Sequence, residues 1–328
     1  MSVTTLEEDA RAVLPAAVFD YYRDGFGAQV TRDEATAAWR EWRFVPRLFR
    51  DVSRVSTEVE LFGARLAAPV LAGPTALHTL AHPEGEAATV RGVEAAGSLL
   101  VLSARAGRPL AEVPLRRPWW FQSYVLRDRE ITERQVRAAV AAGASAIVLT
   151  ADAPYVHPRP VPQAGALSPA TRPAGSEQDP ALNSAAIAWL AGISGKPVLV
   201  KGVLGARDAA ACVDAGAAGV IVSNHGGRQL DRVIATPRAL GPVAAAVAGR
   251  VPVLVDGGIQ DGGDVLTALA LGATAVLIGR PVLWALAAGG ADGVRDCLDL
   301  LRTDLARAMA QTGLPTIGDI DADVVTRG

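Results

Sequence analysis

From residue 68 onward, eight short apolar runs recur at regular intervals, and no other feature narrows the fold so far. They are APVLAGP (68–74), SLLVLSA (98–104), PWWFQSY (118–124), AIVLTADAP (146–154), PVLVKG (197–202), GVIVSN (219–224), VPVLVDGG (251–258) and AVLIGR (275–280). Each run is continuously apolar rather than alternating, as expected of a strand covered on both faces. The third is the weakest strand, because a proline and two tryptophans also suit a packed loop. Between the runs lie helical stretches, several ending on Ala-Gly or Leu-Gly, as in VEAAG (93–97), VAAGAS (140–145), VDAGAAG (213–219) and LALGATA (269–275). A glycine just past a helix, followed soon by a strand, is the capping chemistry of an αβ loop. Eight strands separated by helices predict an α/β fold, the (β/α)₈ or TIM barrel, over residues 68–328. The rival is an open doubly wound sheet, which needs a Gly-x-Gly-x-x-Gly turn after an early strand. Neither LAGPTAL nor LSARAG supplies one.

Residues 1–67 read as a short N-terminal helical cap. LEEDARAVLPAAVFDYYRDG is a helix broken or kinked at Pro15, TRDEATAAWREW is a second, and VSRVSTEVELFGARLAAP resembles a hairpin. Residues 153–186 hold seven prolines with little periodicity. A long irregular loop after the fourth strand reads as a lid on the catalytic face.

Composition removes several function classes. The 328 residues carry a net charge of −2, so no electrostatic hold on nucleic acid or anionic membranes is expected. Cys212 and Cys297 are too few for a disulfide framework and wrongly spaced for zinc, so no metal is expected. No apolar run reaches the roughly 18 residues of a membrane span. MSVTTLEEDARAVLPAAVFD lacks the pattern of a signal peptide. The expectation is a soluble cytoplasmic protein.

Barrel enzymes place their chemistry where strands end. Here those ends carry Thr75, Ser103, Gln122 with Tyr124, Thr150 with Asp152, Lys201, Ser223 with His225 and Arg228, Asp256, and Arg280. One polar strand end is only a group reaching water; eight of them predict a shared polar basin. VDGGIQDGGDV and LIGRPVLW place glycines and Arg280 after the last two strands, the usual phosphate cradle of such barrels. Lys201 follows four apolar residues and needs an anion if buried; otherwise it snorkels to the rim. Asp152 is a candidate orienter for His225 and would favour its imidazolium. Arg228 and Arg159, if they converge, suit a carboxylate.

SNHGGRQLD, LVKG, PTALHTLAHPEGE (74–86), FQSYVLRDR (121–129), VDGGI and IGRPV together resemble the FMN-dependent 2-hydroxy-acid oxidase and dehydrogenase family, which includes glycolate, lactate and mandelate oxidising enzymes. The resemblance covers nearly the whole chain. It implies that a small L-2-hydroxy acid becomes the 2-oxo acid, with oxygen or another acceptor taking the electrons from FMN. It further implies His225 as base, Asp152 stabilising its protonated form, Arg228 and Arg159 on the substrate carboxylate, and Tyr21 and Tyr124 hydrogen-bonded to substrate. Lys201 would lie at the pyrimidine edge of the flavin. Pro74, Thr75 and Ala76 would lie beneath the ring, with Ser103, Gln122, Thr150 and Ser223 around it. The phosphate would rest on Asp256, Gly257, Gly258, Ile259, Gln260, Gly279 and Arg280. Family analogy also implies a homotetramer.

Three positions depart from the family pattern. Gln260 stands where many relatives carry arginine, which weakens the hold on FMN. Arg105 replaces a tryptophan or small residue near the substrate's tail. The lid is short, and its PYVHPRPVP differs from the family's basic stretch. General similarity in GRPVLWALAAGGADGVRDCLDLL leans toward a mandelate-type or longer substrate. Two other readings stand beside this one: a barrel lyase or isomerase acting on a phosphorylated metabolite, and a flavin-binding homologue with altered catalysis.

Overall fold

The computed structural model describes residues 3–155, 162 and 174–328. The N-terminal region holds α1 (Val3–Val13), α2 (Ala16–Arg23), α3 (Val30–Trp39), a short strand β1 (Trp42–Phe44) and a hairpin of β2 (Val59–Leu61) and β3 (Ala64–Leu66). Pro15 separates α1 from α2, since a proline supplies no amide hydrogen to continue the ladder.

The barrel follows in chain order: β4 (Val70–Ala72), α4 (Glu86–Ala95), β5 (Val101–Ser103), β6 (Trp120–Ser123), α5 (Arg129–Ala141), β7 (Ala146–Thr150) and α6 (Ala185–Ser194). It continues with β8 (Val198–Val203), α7 (Ala206–Asp214), β9 (Gly219–Val222), α8 (Thr236–Val247), β10 (Val253–Asp256), α9 (Gly262–Ala270), β11 (Ala275–Ile278) and α10 (Arg280–Thr312). Neighbouring strands pair in parallel, β4 pairs with β11, and a bridge between Ala72 and Leu100 brings β4 to β5, closing the barrel. All eight apolar runs contain a strand. The β5–β6 connection differs from the expectation: it holds only a short 3₁₀ turn, Leu110–Glu112, because GRPLAEVPLRRP is too rich in proline for a helix.

Two apolar layers explain the continuous hydrophobic runs. Leu71, Val101, Trp120, Val148, Leu199, Ile221, Leu254 and Leu277 fill the barrel interior. Their neighbours, among them Val70, Leu102, Ile147, Val200 and Val222, face the helices. The two tryptophans of the third run are thus divided: Trp119, just before β6, lies outside and Trp120, its first residue, inside. Leu61, Ala64 and Leu66 of the hairpin join the interior layer, and Phe62 meets Trp120 edge-on at 5.5 Å. The hairpin is therefore a plug for the barrel. Fully burying such side chains stabilises by about 1.5–3 kcal/mol each.

A C-terminal strand, β12 (Val325–Arg327), which the sequence did not announce, pairs antiparallel with β1 and ties the end of the chain to the N-terminal region. α10 bends at Gly290 and packs on α4, α1 and α9. No helix among the described residues is long and apolar enough to cross a membrane.

Candidate active site

The carboxyl ends of the strands open into a cavity of about 1040 Å³. The turn after β9 decides its chemistry. Val222 ends the strand, Ser223 and Asn224 stay buried, and the chain then takes positive φ at His225 (55°), Gly226 (61°) and Gly227 (74°). A left-handed histidine is an unfavourable local conformation, the kind that persists where surrounding contacts impose it. Here they do. The His225 backbone N–H donates to Ser223 Oγ at 3.1 Å, and Nδ1 lies 3.0 and 3.2 Å from the two Asp152 oxygens. Nδ1 is thus committed to the carboxylate, and His225 faces the cavity.

Asp152 sits just past β7 and behind the histidine, with a side chain 15% exposed. Burial alone would raise its pKa, but His225 and Lys201 outweigh that and hold it below the usual carboxylate range. Its place depends on Gly202: a Cβ there would lie 2.4 Å from Asp152 Cβ, and φ at 202 is +106°. The glycine of LVKG therefore leaves room for the orienting acid.

Lys201, on β8, is 3% exposed and does not snorkel. Its ammonium donates to Ser223 Oγ at 2.7 Å and lies 3.2 Å from Asp256 Oδ2. Burial opposes the charge, yet Asp256 and Asp152 more than offset it, so its pKa stands above the ordinary value. Ser223 lies beneath the cavity wall, where it accepts from both Lys201 and His225.

A second buried chain crosses three strand ends. Ser103 donates to Gln122 Oε1 at 3.0 Å, and Gln122 Nε2 donates to Thr150 Oγ1 at 2.9 Å. Pro74, Thr75 and Ala76 line the adjoining wall. Across the cavity, Gly257, Gly258, Ile259, Gln260, Gly279 and Arg280 form the wall after β10 and β11. Arg280 donates through Nε to Tyr22 C=O (3.1 Å) and through Nη2 to Gly226 C=O (2.7 Å), bracing the histidine turn.

Tyr21, Tyr124 and Arg228 complete the basin. Arg228 Nη1 donates to the carbonyls of Tyr21 (2.8 Å), Tyr22 (3.1 Å) and Asp24 (3.1 Å), and its guanidinium lies 5.2 Å from the Tyr21 ring centre. The open carbonyls at the C-terminus of α2 thus grip the cation, a favourable end for positive charge. Burial raises the pKa of Tyr124, so its hydroxyl keeps its proton. Arg159, the expected second carboxylate ligand, lies outside the described residues.

Sequence reasoning missed three contributors. Trp39 at the end of α3 donates from Nε1 to Gly257 C=O at 2.7 Å, and Thr236 reaches the same carbonyl at 3.2 Å. His78 is buried between Thr75 Oγ1 (2.7 Å) and Thr89 Oγ1 (2.8 Å), which fixes the Thr75 hydroxyl at the cavity. A tryptophan on the apolar face of α3 and a histidine three residues past Thr75 were the available signals.

The chain matches the FMN-dependent dehydrogenase family over residues 10–327. It belongs to that family. The chain is 38% identical to the 2-hydroxyacid oxidase of Dictyostelium discoideum, over 99% of this chain and 90% of that protein. It is 40% identical to the 4-hydroxymandelate oxidase of Amycolatopsis orientalis, over 97% of this chain and 96% of the other. A crystal structure of mandelate oxidase superposes with a TM-score of 0.92 at 39% identity, covering 99% of this chain and 97% of that one. The cavity fits the cofactor on its own terms. Among the described residues Asp256 Oδ1 is buried with no hydrogen-bond partner, beside a buried ammonium, where a polyol hydroxyl and an anionic ring would satisfy both.

Proposed function

We propose that this FMN-dependent enzyme oxidises an L-2-hydroxy acid to the 2-oxo acid, with oxygen as final acceptor and hydrogen peroxide as co-product. The Asp152–His225 pair carries the reading, because it presents a base at the strand ends of a flavoprotein barrel. Bound FMN supplies the two-electron acceptor.

In this proposal His225 Nε2 takes the proton from the substrate's hydroxyl or α-carbon, while Asp152 stabilises the imidazolium that forms. Arg228, pre-aimed by the α2 carbonyls, holds the substrate carboxylate, with Arg159 as its partner. Tyr21 and Tyr124 hydrogen-bond the substrate. FMN is assigned to Pro74–Ala76, the Ser103–Gln122–Thr150 chain, Lys201 with Ser223 behind it, and the 256–260 and 279–280 wall. Lys201, its pKa raised despite burial by Asp256 and Asp152, would hold a positive charge beside the pyrimidine edge of bound FMN. Relatives named 2-hydroxyacid oxidase and 4-hydroxymandelate oxidase support both the substrate class and oxygen as acceptor. A lyase or isomerase acting on a phosphorylated metabolite could also use a histidine base but would need no FMN, and the match to the FMN-dependent family over residues 10–327 speaks against it.

The test is anaerobic mixing of the FMN-loaded protein with 2-hydroxy acids of varied size. Bleaching of the flavin, followed in air by one peroxide per 2-oxo acid, is expected. An oxidised flavin that survives every acid contradicts the proposal and favours a binding protein.

A further inference from the structure

We propose that the substrate is a 2-hydroxy acid bearing a second carboxylate at its far end, and that Arg105 selects it. The inference rests on the oxidase reading above and names the substrate class within it.

Arg105 stands two residues past β5, at the cavity rim. Its backbone is pinned on both sides: its N–H donates to Ser103 Oγ at 3.1 Å, and its C=O accepts from Leu77 N–H at 3.1 Å. The side chain therefore leaves a fixed point. Its guanidinium lies 4.9 Å from the centre of the Tyr124 ring, much as Arg228 lies over Tyr21. The basin thus presents two arginine-on-tyrosine pairs, and one 2-hydroxy carboxylate occupies only the first.

The charges point the same way. Lys201 is matched by Asp256, and His225 by Asp152. Arg105 is half-buried, and among the described residues no carboxylate pairs with it. All 34 acidic side chains belong to the described residues, and the stretch 156–173 contains none that could reach over. A tyrosine face attracts a guanidinium without neutralising it. A half-buried cation in a ligand cavity, with no acid of its own, calls for an anion from the ligand. The planar fork of arginine suits a carboxylate.

The experiment uses the FMN-loaded enzyme and anaerobic flavin reduction. Substrates are (S)-malate, (S)-2-hydroxyglutarate, the distal monoamide of 2-hydroxyglutarate, and (S)-mandelate. The wild type should favour one of the diacids over the monoamide and over mandelate by about 10- to 100-fold in kcat/KM, as a charge-assisted hydrogen bond allows. Arg105→Gln should lose that preference through KM while handling the monoamide within about threefold, and Arg105→Lys should recover part of it. Arg105→Gln that slows diacid and monoamide equally, or a wild type that prefers mandelate or the monoamide, overturns the inference. If Arg105→Gln does not fold, the wild-type ranking and Arg105→Lys decide. Bleaching by the uncharged-tail acids alone sinks the role of Arg105 and leaves the oxidase reading standing; bleaching by no acid sinks both.

Discussion

Three residues in and around the site test its electrostatics one at a time. His225→Ala should keep the yellow flavin spectrum, because the ring is assigned no part in holding FMN. Gly202→Ala should displace Asp152, whose Cβ a new methyl would approach to 2.4 Å, and so slow reduction about 10²-fold or more with FMN still bound. Unchanged reduction in that variant would remove the orienting carboxylate from the account. Asp264 is tested by pH. Burial first, and Asp261 second, raise its pKa from 3.8 to about 7. Between these values the folded protein holds a proton that the unfolded chain releases, so this contribution is present below pH 3.8 and lost as pH rises through about 7. Asp264→Asn, which can still accept from the Gln260 N–H, should gain melting temperature over wild type at pH 8 and little at pH 4. A gap independent of pH counts against the shift.

Among the elements, the barrel strands were legible because strands covered on both faces leave uninterrupted apolar runs, and their polar ends marked the basin. The contribution of the N-terminal helices was not. Trp39 reaches Gly257 across 218 positions, and Arg228 reaches the α2 carbonyls across more than 200, so neither contact leaves a local pattern. The β1–β12 clasp is only three residues long, and the helix missing between β5 and β6 shows how prolines override an otherwise regular alternation. At the catalytic turn, SNHGGR announced a histidine three positions before an arginine, but not that the α2 carbonyls hold Arg228 in place. Two element-level outcomes follow. Trp39→Phe, which deletes the bond to Gly257, should weaken FMN binding severalfold in an equilibrium titration while leaving reduction of the loaded enzyme nearly unchanged. Arg228→Lys should raise the substrate KM by about tenfold or more, since one ammonium cannot serve three carbonyls and a carboxylate; an unaltered KM would detach Arg228 from the substrate.

For the whole molecule, the hairpin plugs the barrel, the N-terminal helices and the strand-end loops build the basin, and an apolar segment before the hairpin faces outward. Leu48 is 74% exposed and Phe49 fully so, with Phe44 and Val45 beside them. Clusters of this kind mark association surfaces. We propose that copies of the chain, four by family analogy, meet there; light scattering should then show a smaller species for Phe49→Asp than for wild type, and equal masses would place the interface elsewhere. The account as a whole turns on the imidazole held by Asp152. Its most direct test is single-turnover anaerobic reduction of bound FMN at saturating 2-hydroxy acid, comparing wild type with His225→Ala. A fall of about 10²–10⁴-fold in the limiting rate, at unchanged flavin content, is the expected result. Reduction of the variant at nearly the wild-type rate would contradict the central claim.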